Sequence, residues 1–561
     1  MAIDRKADRD DLVRRVGAMR TERATWMAHW AELSRYFLPR NGRFWLTDRN
    51  KGWRRHNSIY DNTGTRAVRV LAAGLQSGMT SPARPWLKLT TPDADLNKSH
   101  AVRAWLDDVT ARMMTIFRKS NFYQAVHQGY GELGVFGTDA MVFDEDFQSV
   151  IHLSNLTCGE YMISADWRGR VDTLAREFER PVAAVVKEFG RENVSQAVRN
   201  LYDRGVLDAW VPIVHVIEPR ADRDPRSTAA RDMAWRSVYF ERGASFEDTL
   251  RDGGYREFPA IVSRWDLAGG DIYGNGPGME ALGDTKQLQQ QQLRKGQGID
   301  FMTKPALRIP TSLKNSGVDL LPGGENYADG NDSVQPIWQP TLRLDHLLGD
   351  MADVRERINA SFYVDMFLML SQMGEARMTA TEVAERHQEK LLMLGPTSER
   401  QHDEKLTPVV ELAFARMLRA GLVPPPPPEM HGQQLDVEYV SAIAQAQREI
   451  GLNSVDRYVG NLGQVAAFAP GVLDKFDADA WAEEYGDRLG VPADLIVPAD
   501  QVALIRQSRA QAQAQQVQAE QAAQQAKAMQ SLGNTPLDNG SVLASLVRGG
   551  GLAQTDNLMI R

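Results

Sequence analysis

From Leu342 to Leu370 apolar residues return every three or four positions: Leu344, Leu347, Met351, Val354, Ile358, Phe362, Met366 and Met369. That period puts them on one stripe of one α-helix. The stretch has no proline and a single glycine, Gly349. At 1.5 Å per residue it spans roughly 44 Å. Its counterpart lies some fifty residues earlier, in Tyr273 to Pro310. There Gly274, Gly276 and Gly278 surround Pro277, which suits the first position of a helix, where its missing N–H has no partner to lose. The helix runs to about Gly296. Its apolar positions are few (Met279, Leu282, Leu288, Leu293), and Gln287 and Gln289 to Gln292 fill much of the rest. A helix polar nearly all round does not belong in an ordinary core, so it faces water or packs on other chains. Between the two helices, Ile299 to Pro340 is rich in Gly and Pro with short β-like runs. This helix–insert–helix unit is the organising feature of the chain.

Elsewhere the pattern predicts a mixed architecture. Residues 4 to 38 read as one long helix, with Leu12, Val16, Met19, Trp26, Trp30, Leu33 and Phe37 on a seven-residue repeat that Arg23 interrupts. A coiled-coil or helix-on-helix seam and a plain amphipathic helix both fit. Pro39 ends it. Thr63 or Thr65 caps a helix with Val68, Leu71, Ala72 and Leu75 on its apolar face. The run from Ser81 to Pro85 breaks the chain before a short strand, Trp86 to Leu89. His100 to Phe117 and Phe122 to Leu133 are helical. Phe136 to Arg180 alternates in short runs, an antiparallel β region that resumes at Trp210 to His215 and Arg236 to Phe240 and ends at Phe258 to Trp265. Val182 to Leu207 between them reads as helix. Residues 1–268 are therefore expected to form an α+β domain.

After the second long helix comes a loop, 371–378. Thr379 and Glu382 fit a capping box, with Met378 and Val383 as its staple, so a helix starts at Thr379. Pro396 interrupts it, a further helix reaches Arg419, and Gly421 suits its C-cap. Pro424 to Pro428 is a stiff polyproline spacer. Residues 436–495 are read as a small helical domain with helices at Ser441 to Ile450, Val455 to Leu462 and Ala478 to Leu489. Ala499 to Gln530, rich in Ala and Gln, is read as a long exposed helix. Asn534 to Arg561 is expected to be flexible.

Composition narrows the function. The chain has 561 residues, which suggests three or four domains. Its 65 basic and 73 acidic residues leave a net charge of −8, against a protein that grips nucleic acid by bulk charge. One cysteine, Cys158, rules out a disulfide framework or a cysteine-based zinc site within one chain, and suggests an intracellular origin. Cys158 itself reads as a small buried residue. The charged N-terminus has no apolar core of a signal peptide, and Phe362 to Leu370, interrupted by Asp365, is too short to span a bilayer. The GNGPG run at 274–278 has the wrong spacing for a dinucleotide loop, and no Walker-type phosphate loop, HExxH or GxSxG occurs. Asp144, Glu145 and Asp146 are either metal ligands, as in a metal-dependent nuclease, or a solvated acidic turn. No catalytic residue, metal site or cofactor is identified.

Three blocks together resemble the portal proteins, or head-to-tail connectors, of short-tailed bacteriophages: Leu71 to Leu89 (LAAGLQSGMTSPARPWLKL), Tyr273 to Leu282 (YGNGPGMEAL) and Thr379 to Pro396 (TATEVAERHQEKLLMLGP). Their order and spacing match over residues 1 to about 530. The resemblance implies an α+β, mainly helical portal fold. Its wing covers 1–268, its stem helices 269–298 and 341–370, its α/β clip 299–340 and its tunnel loop 371–378. A long broken wing helix at 379–423, a Pro-rich linker at 424–435, a crown at 436–530 and a C-terminal tail at 531–561 complete it. It also implies a ring, usually of twelve subunits, at one capsid vertex, assembled in the host cytoplasm and retained in the virion.

That ring is implied to conduct double-stranded DNA during packaging and ejection. It docks the packaging motor (terminase), which supplies the ATP hydrolysis, as well as the major capsid and scaffolding proteins and the tail adaptors, with no membrane involved. Gln372, Met373, Glu375, Arg377 and Met378 are implied to face DNA, and Pro277, Gln287, Gln291, Arg294 and Lys295 to line the stem. The insert is implied to dock the motor or tail, with Gly323 to Asp332 as its loop. Lys304, Arg308 and Lys314 touch phosphates or a partner there, or are ordinary solvated cations. Twelve chains at −8 would carry about −96, a charge on which DNA slides without being trapped. A different ring-forming adaptor is the alternative within the same class.

Overall fold

The computed structural model describes residues 5–47, 52, 55–93, 95–224, 226–227, 229–243, 249–309, 311, 319, 334–336, 344–372, 394–440, 458–488, 497 and 499–533. It separates into two units, 1–476 and 477–561.

The first unit opens with α1 (Arg5–Tyr36). Its seven-residue stripe serves two cores. Leu12 and Val16 pack on a sheet face with Met162, Ala175, Val214, Val216, Val238 and Phe240. Trp30, Leu33 and Phe37 enter the main core. Arg23, which interrupts the stripe, is buried and donates to Gly159 O at 2.9 Å and to Glu177 Oε2 at 3.1 Å, while its Nε has no partner. Arg20 binds the same carboxylate. Burial pushes the Glu177 carboxyl up, but the arginines outweigh it and hold it below the usual range. So the stripe is a helix-on-sheet seam, with a buried ion pair at the gap.

α2 (Thr63–Met79) buries Val68, Leu71, Ala72 and Leu75 as its spacing requires. Its start differs from the expected threonine caps: Asn62 is the N-cap, and Asp61 Oδ1 accepts from the Thr63 N–H at 2.9 Å. β1 (Leu87–Thr90), α3 (His100–Lys119) and α4 (Phe122–Phe136) follow. Next come β2 (Thr138–Asp146), β3 (Val150–Leu156), β4 (Tyr161–Ala165) and β5 (Val171–Pro181). The expected helix over 182–207 is two short ones, α5 (Val182–Phe189) and α6 (Gln196–Asp203), because Gly190 takes a left-handed φ of 89° and ends the first. β6 (Trp210–Pro219), β7 (Trp235–Glu241), β8 (Arg251–Tyr255) and β9 (Ala260–Arg264) complete two antiparallel sheets, ordered β3-β2-β9 and β4-β5-β6-β7-β8. α5 and α6 cover the face of the larger sheet opposite α1, through Val182, Val185, Phe189 and Val198 against Phe178, Ile213 and Tyr239. The region is α+β with antiparallel pairing, as the alternation predicts.

The helix–insert–helix unit comprises α7 (Pro277–Glu280), α8 (Leu282–Thr303), a minimal hairpin of β10 (Leu307–Arg308) and β11 (Gln335–Pro336), α9 (Leu344–Ser361) and α10 (Val364–Gln372). α8 continues through Gly296, past its expected end. The second long helix is not continuous: Tyr363 adopts φ 54°, a costly conformation for a bulky residue. The break lets Phe362 bury against Phe37, with ring centroids 5.4 Å apart, while Phe367 packs over Gly74 of α2. Beyond it, α11 (Gly395–Gln401), a π-helical turn (His402–Leu406) and α12 (Thr407–Arg419) form one uninterrupted helical run, with Pro396 at its start. The expected capping box and the helix from Thr379 lie outside the described residues.

After the polyproline stretch, β12 (Asp436–Tyr439) pairs antiparallel with β1, Leu87 opposite Tyr439. This corrects the start expected for the separate helical domain: residues 436–439 belong to the first unit, because their backbone completes its two-stranded sheet. The second unit contains α13 (Ala478–Arg488) and α14 (Ala499–Gly533), joined by an exposed bidentate pair, Arg506 to Asp479. From 501 to 527 α14 is exposed on nearly every side.

Candidate functional site

α8 and α9 run antiparallel, since Asp284 pairs with Arg357 at 3.1 Å and Gln291 donates to Asp350 further along. The inner half of α8 is buried through Leu282, Thr285, Leu288 and Gln289. Gln289 is only 4% exposed. Its Oε1 accepts from the backbone N–H groups of Tyr60 (2.6 Å) and Asp61 (2.8 Å), and its Nε2 donates to Asp61 O at 2.9 Å. Asp61 in turn accepts from Arg355 of α9 at 2.8 Å. Burial pushes the Asp61 carboxyl up, yet Thr63 and Arg355 outweigh it and hold it below its ordinary value. One buried amide thus ties α8, the entry to α2 and α9 together. Lys286 adds a 2.6 Å pair with Glu32 of α1. α9 contributes Met351, Val354 and Ile358 to the same core.

The outer half of α8 reverses this. Leu293 (38%), Ile299 (38%), Phe301 (55%) and Met302 (41%) are exposed on the isolated subunit, as are Ile309 and, on α9, Leu348. Apolar side chains left open on one chain are available to a partner.

The sequence-derived stem residues fall on both halves. Pro277 is buried at the first position of α7. Gln287 and Arg294 are exposed, Lys295 is half-buried, and Gln291 is bonded to Asp350. Lys304 is exposed just beyond α8, and Arg308 is exposed on β10 opposite Gln335. Gln372 is the last residue of α10. Lys314, Met373, Glu375, Arg377, Met378 and the Gly323–Asp332 loop lie outside the described residues. Sequence reasoning missed Asp61, Arg355 and the particular role of Gln289. The one available signal was Asp61 two residues before Thr63, an acid placed to cap a helix start.

The GNGPG run packs against backbone. Gly137 ends α4 at φ 72°, and a Cβ added at Gly274 would sit 2.2 Å from its carbonyl oxygen. Added Cβ atoms at Gly276 and Gly278 would lie 2.9 Å from Gly137 Cα and 2.7 Å from Val135 O. The glycines let the entry to α7 touch the end of α4, and Trp26, Trp30 and Tyr273 cluster beside them.

The three acids at the end of β2 do not converge. Strand alternation turns Glu145 to the opposite face from Asp144 and Asp146. Glu145 pairs with Arg416 and Arg419, whereas Asp146 is held below its ordinary pKa by bonds from Ser149. Burial raises Asp144 against the pull of Arg176. Among the described residues no group of three or more His, Cys, Asp or Glu is placed to hold a metal ion. Cys158 is buried, and burial pushes its thiol well up. Among the described residues no helix is long and apolar enough to cross a membrane.

Residues 9–497 match the family described as bacteriophage head to tail connecting protein. The chain is 56% identical over 540 residues to the probable portal protein of Bordetella phage BPP-1, covering 96% of each. It is 41% identical over 556 residues to the portal protein of Salmonella phage epsilon15, covering 98% of this chain and all of that one. Among solved structures, the virion of a native gene transfer agent particle aligns with 78% of this chain and 94% of that one, at 12% identity and a TM-score of 0.33, too distant to carry weight. A family match across most of the chain and two near-full-length relatives agree, and this chain belongs to the bacteriophage head-to-tail connecting proteins, the portal proteins.

Proposed function

We propose that this chain assembles into a ring of about twelve subunits at one capsid vertex, and that the ring is the channel for double-stranded DNA in packaging and ejection. The family and the named relatives support the portal role. The observation that carries the ring is the outer half of α8, where Leu293, Ile299, Phe301 and Met302 stand exposed on the single subunit beside a polar face. A heterologous contact repeated around a closed ring covers such a patch with a different surface of the next copy, without a self-complementary patch. The chain is structural: the terminase motor hydrolyses ATP, and the portal positions it.

In this reading residues 1–268 and 379–423 form the wing, 269–298 and 341–370 the stem, 299–340 the clip, 371–378 the tunnel loop and 436–530 the crown, whose helical part begins after β12. Lys304, Arg308 and Lys314 lie where the clip meets motor, tail or phosphates. Gln372, Met373, Glu375, Arg377 and Met378 face the DNA. Native mass and negative-stain microscopy of the purified protein test the ring: a holed ring of about a dozen 62.6 kDa subunits is expected. A compact monomer or dimer at high concentration overturns it. Deleting residues 372–377 is expected to leave rings intact and reduce packaged or retained DNA in particles. Full genome content in those particles refutes the tunnel-loop assignment.

A further inference from the structure

The π turn between α11 and α12 has a cause in the sequence and an unusual set of restraints. Pro408 sits at the second position of α12. It has no N–H to give the carbonyl of Glu404, four residues back, and its ring crowds that carbonyl. The helix widens instead, and the Thr407 N–H bonds His402 O, five residues back. One extra residue is thereby stored in the turn. The wider turn brings Gln401, Glu404 and Lys405 to the β2–β9 sheet together. Lys405, fully buried at 0% exposure, binds the buried Asp139, with its Nζ 4.5 Å from the Tyr130 ring centroid. Glu404 takes Arg264 through both oxygens (2.7 and 3.2 Å) and also the Arg264 N–H at 2.9 Å. Gln401 Nε2 donates to Arg264 O at 2.9 Å, while its Oε1 and the neighbouring Ser263 Oγ are buried without a partner. His402 stacks on Tyr439, 4.3 Å away, and Thr407 bonds the Tyr439 hydroxyl at 2.7 Å.

We propose that this π turn is a one-residue register latch, and that the Lys405–Asp139 and Glu404–Arg264 pairs hold it in the wide state. Releasing the stored residue turns the run into α-helix except at Pro408, where the Glu404 carbonyl is left without a donor. With α12 fixed, α11 then rotates by about 100° and moves about 1.5 Å along its axis. Each α11 residue takes the place of the one before it: Glu399 moves into the buried position of Ser398, and Ser398 into the half-buried position of Thr397. Buried ion pairs suit a device with two states and nothing between. A half-shifted helix would leave charges buried and unpaired, and the released register puts Glu399 in a buried position, so the wide state is the favoured one. The latch also joins separate parts of the fold, since Arg264 donates to Gly169 O in the β4–β5 turn at 2.8 Å. A disturbance at that turn therefore bears on the register of α11.

The test uses the full-length assembled protein. Cysteines are placed singly as S398C and E399C, with little background because Cys158 is buried. Maleimide labelling is measured in the parent and in K405M/D139N/P408A, which removes both charges together and restores the missing N–H. The expected result is reciprocal: labelling at 398 rises about tenfold and labelling at 399 falls by a similar factor. P408A alone is expected to leave both rates near the parent, because the latch still holds. Unchanged rates in the triple variant and again in the same variant with E404M/R264M added, which removes the second pair as well, overturn the proposal. Faster labelling at both positions also overturns it, since that reports local unfolding and not a change of register.

Discussion

The two halves of α8 invert the usual sorting of residues. The inner half buries a glutamine, and the outer half exposes a phenylalanine, a leucine, an isoleucine and a methionine. The inner glutamine is buried because three backbone groups of residues 60–61 complete its hydrogen bonds. The outer apolar groups are open because, among the described residues, none covers them. Burial in this helix thus follows the availability of partners, not side-chain polarity. A polar stretch in a sequence is therefore an ambiguous sign: it is water-facing where no partner exists and structural where one does.

The same principle at its most extreme is Lys405, so the largest effect is expected there. K405A leaves Asp139 charged and alone in the core and is expected to cost about 3–5 kcal/mol in urea unfolding. K405M/D139N is expected to cost clearly less, because both charges leave together. A single variant no worse than the double would break the argument that partners decide burial. Next comes Q289A, which strands two part-buried N–H groups and a carbonyl. A loss of about 2–4 kcal/mol is expected, against about 0.5 kcal/mol or less for Q290A one residue further along the same helix. Equal losses would erase the distinction between buried and exposed glutamines.

Glu132 sharpens the comparison through pH. Its carboxylate accepts from Thr157 Oγ1 (2.7 Å), the Cys158 N–H (2.9 Å) and Asn41 Nδ2 (3.0 Å). Burial nevertheless outweighs these bonds and pushes its pKa up from 4.5 to about 7. The folded state then holds a proton that the unfolded chain releases above pH 4.5. This contribution favours folding at low pH and is lost as pH rises towards about 7, after which it is flat. Unfolding measured from pH 5 to 8 is expected to show that decline, and E132Q to flatten it. An unchanged slope in E132Q would show that the three bonds keep Glu132 ionised.

The smallest effect on a single subunit is expected in the outer half of α8. F301S/M302S is expected to shift subunit unfolding by no more than about 0.5 kcal/mol while shifting native mass from ring to smaller species. A stability loss with intact rings would mean that these side chains pack inside their own chain.

Much of the architecture was legible. Period-two alternation marked the antiparallel strands of 136–180, and three-to-four spacing put Met351, Val354 and Ile358 on the buried face of α9. These signals are local, because each residue's face follows from its place in a repeat. The two-helix unit and the helices α1 to α4 were readable for that reason. The stripe of α1 was legible too, but not what it packs on, since one repeat fits a helix or a sheet.

What only the tertiary structure decided depends on partners far apart in sequence. Tyr363 breaks the second long helix so that Phe362 and Phe367 reach different pockets, and no local pattern announces it. β12 joins the first unit because its edge finds β1, some 350 residues earlier. The pattern reads one helix through Pro408 to Arg419, and only the contacts with Asp139 and Arg264 hold a π turn there. Sequence alone fixes which groups need company, through their polarity and spacing. The fold decides which groups find it, because hydrogen bonds and ion pairs form only at contact distance.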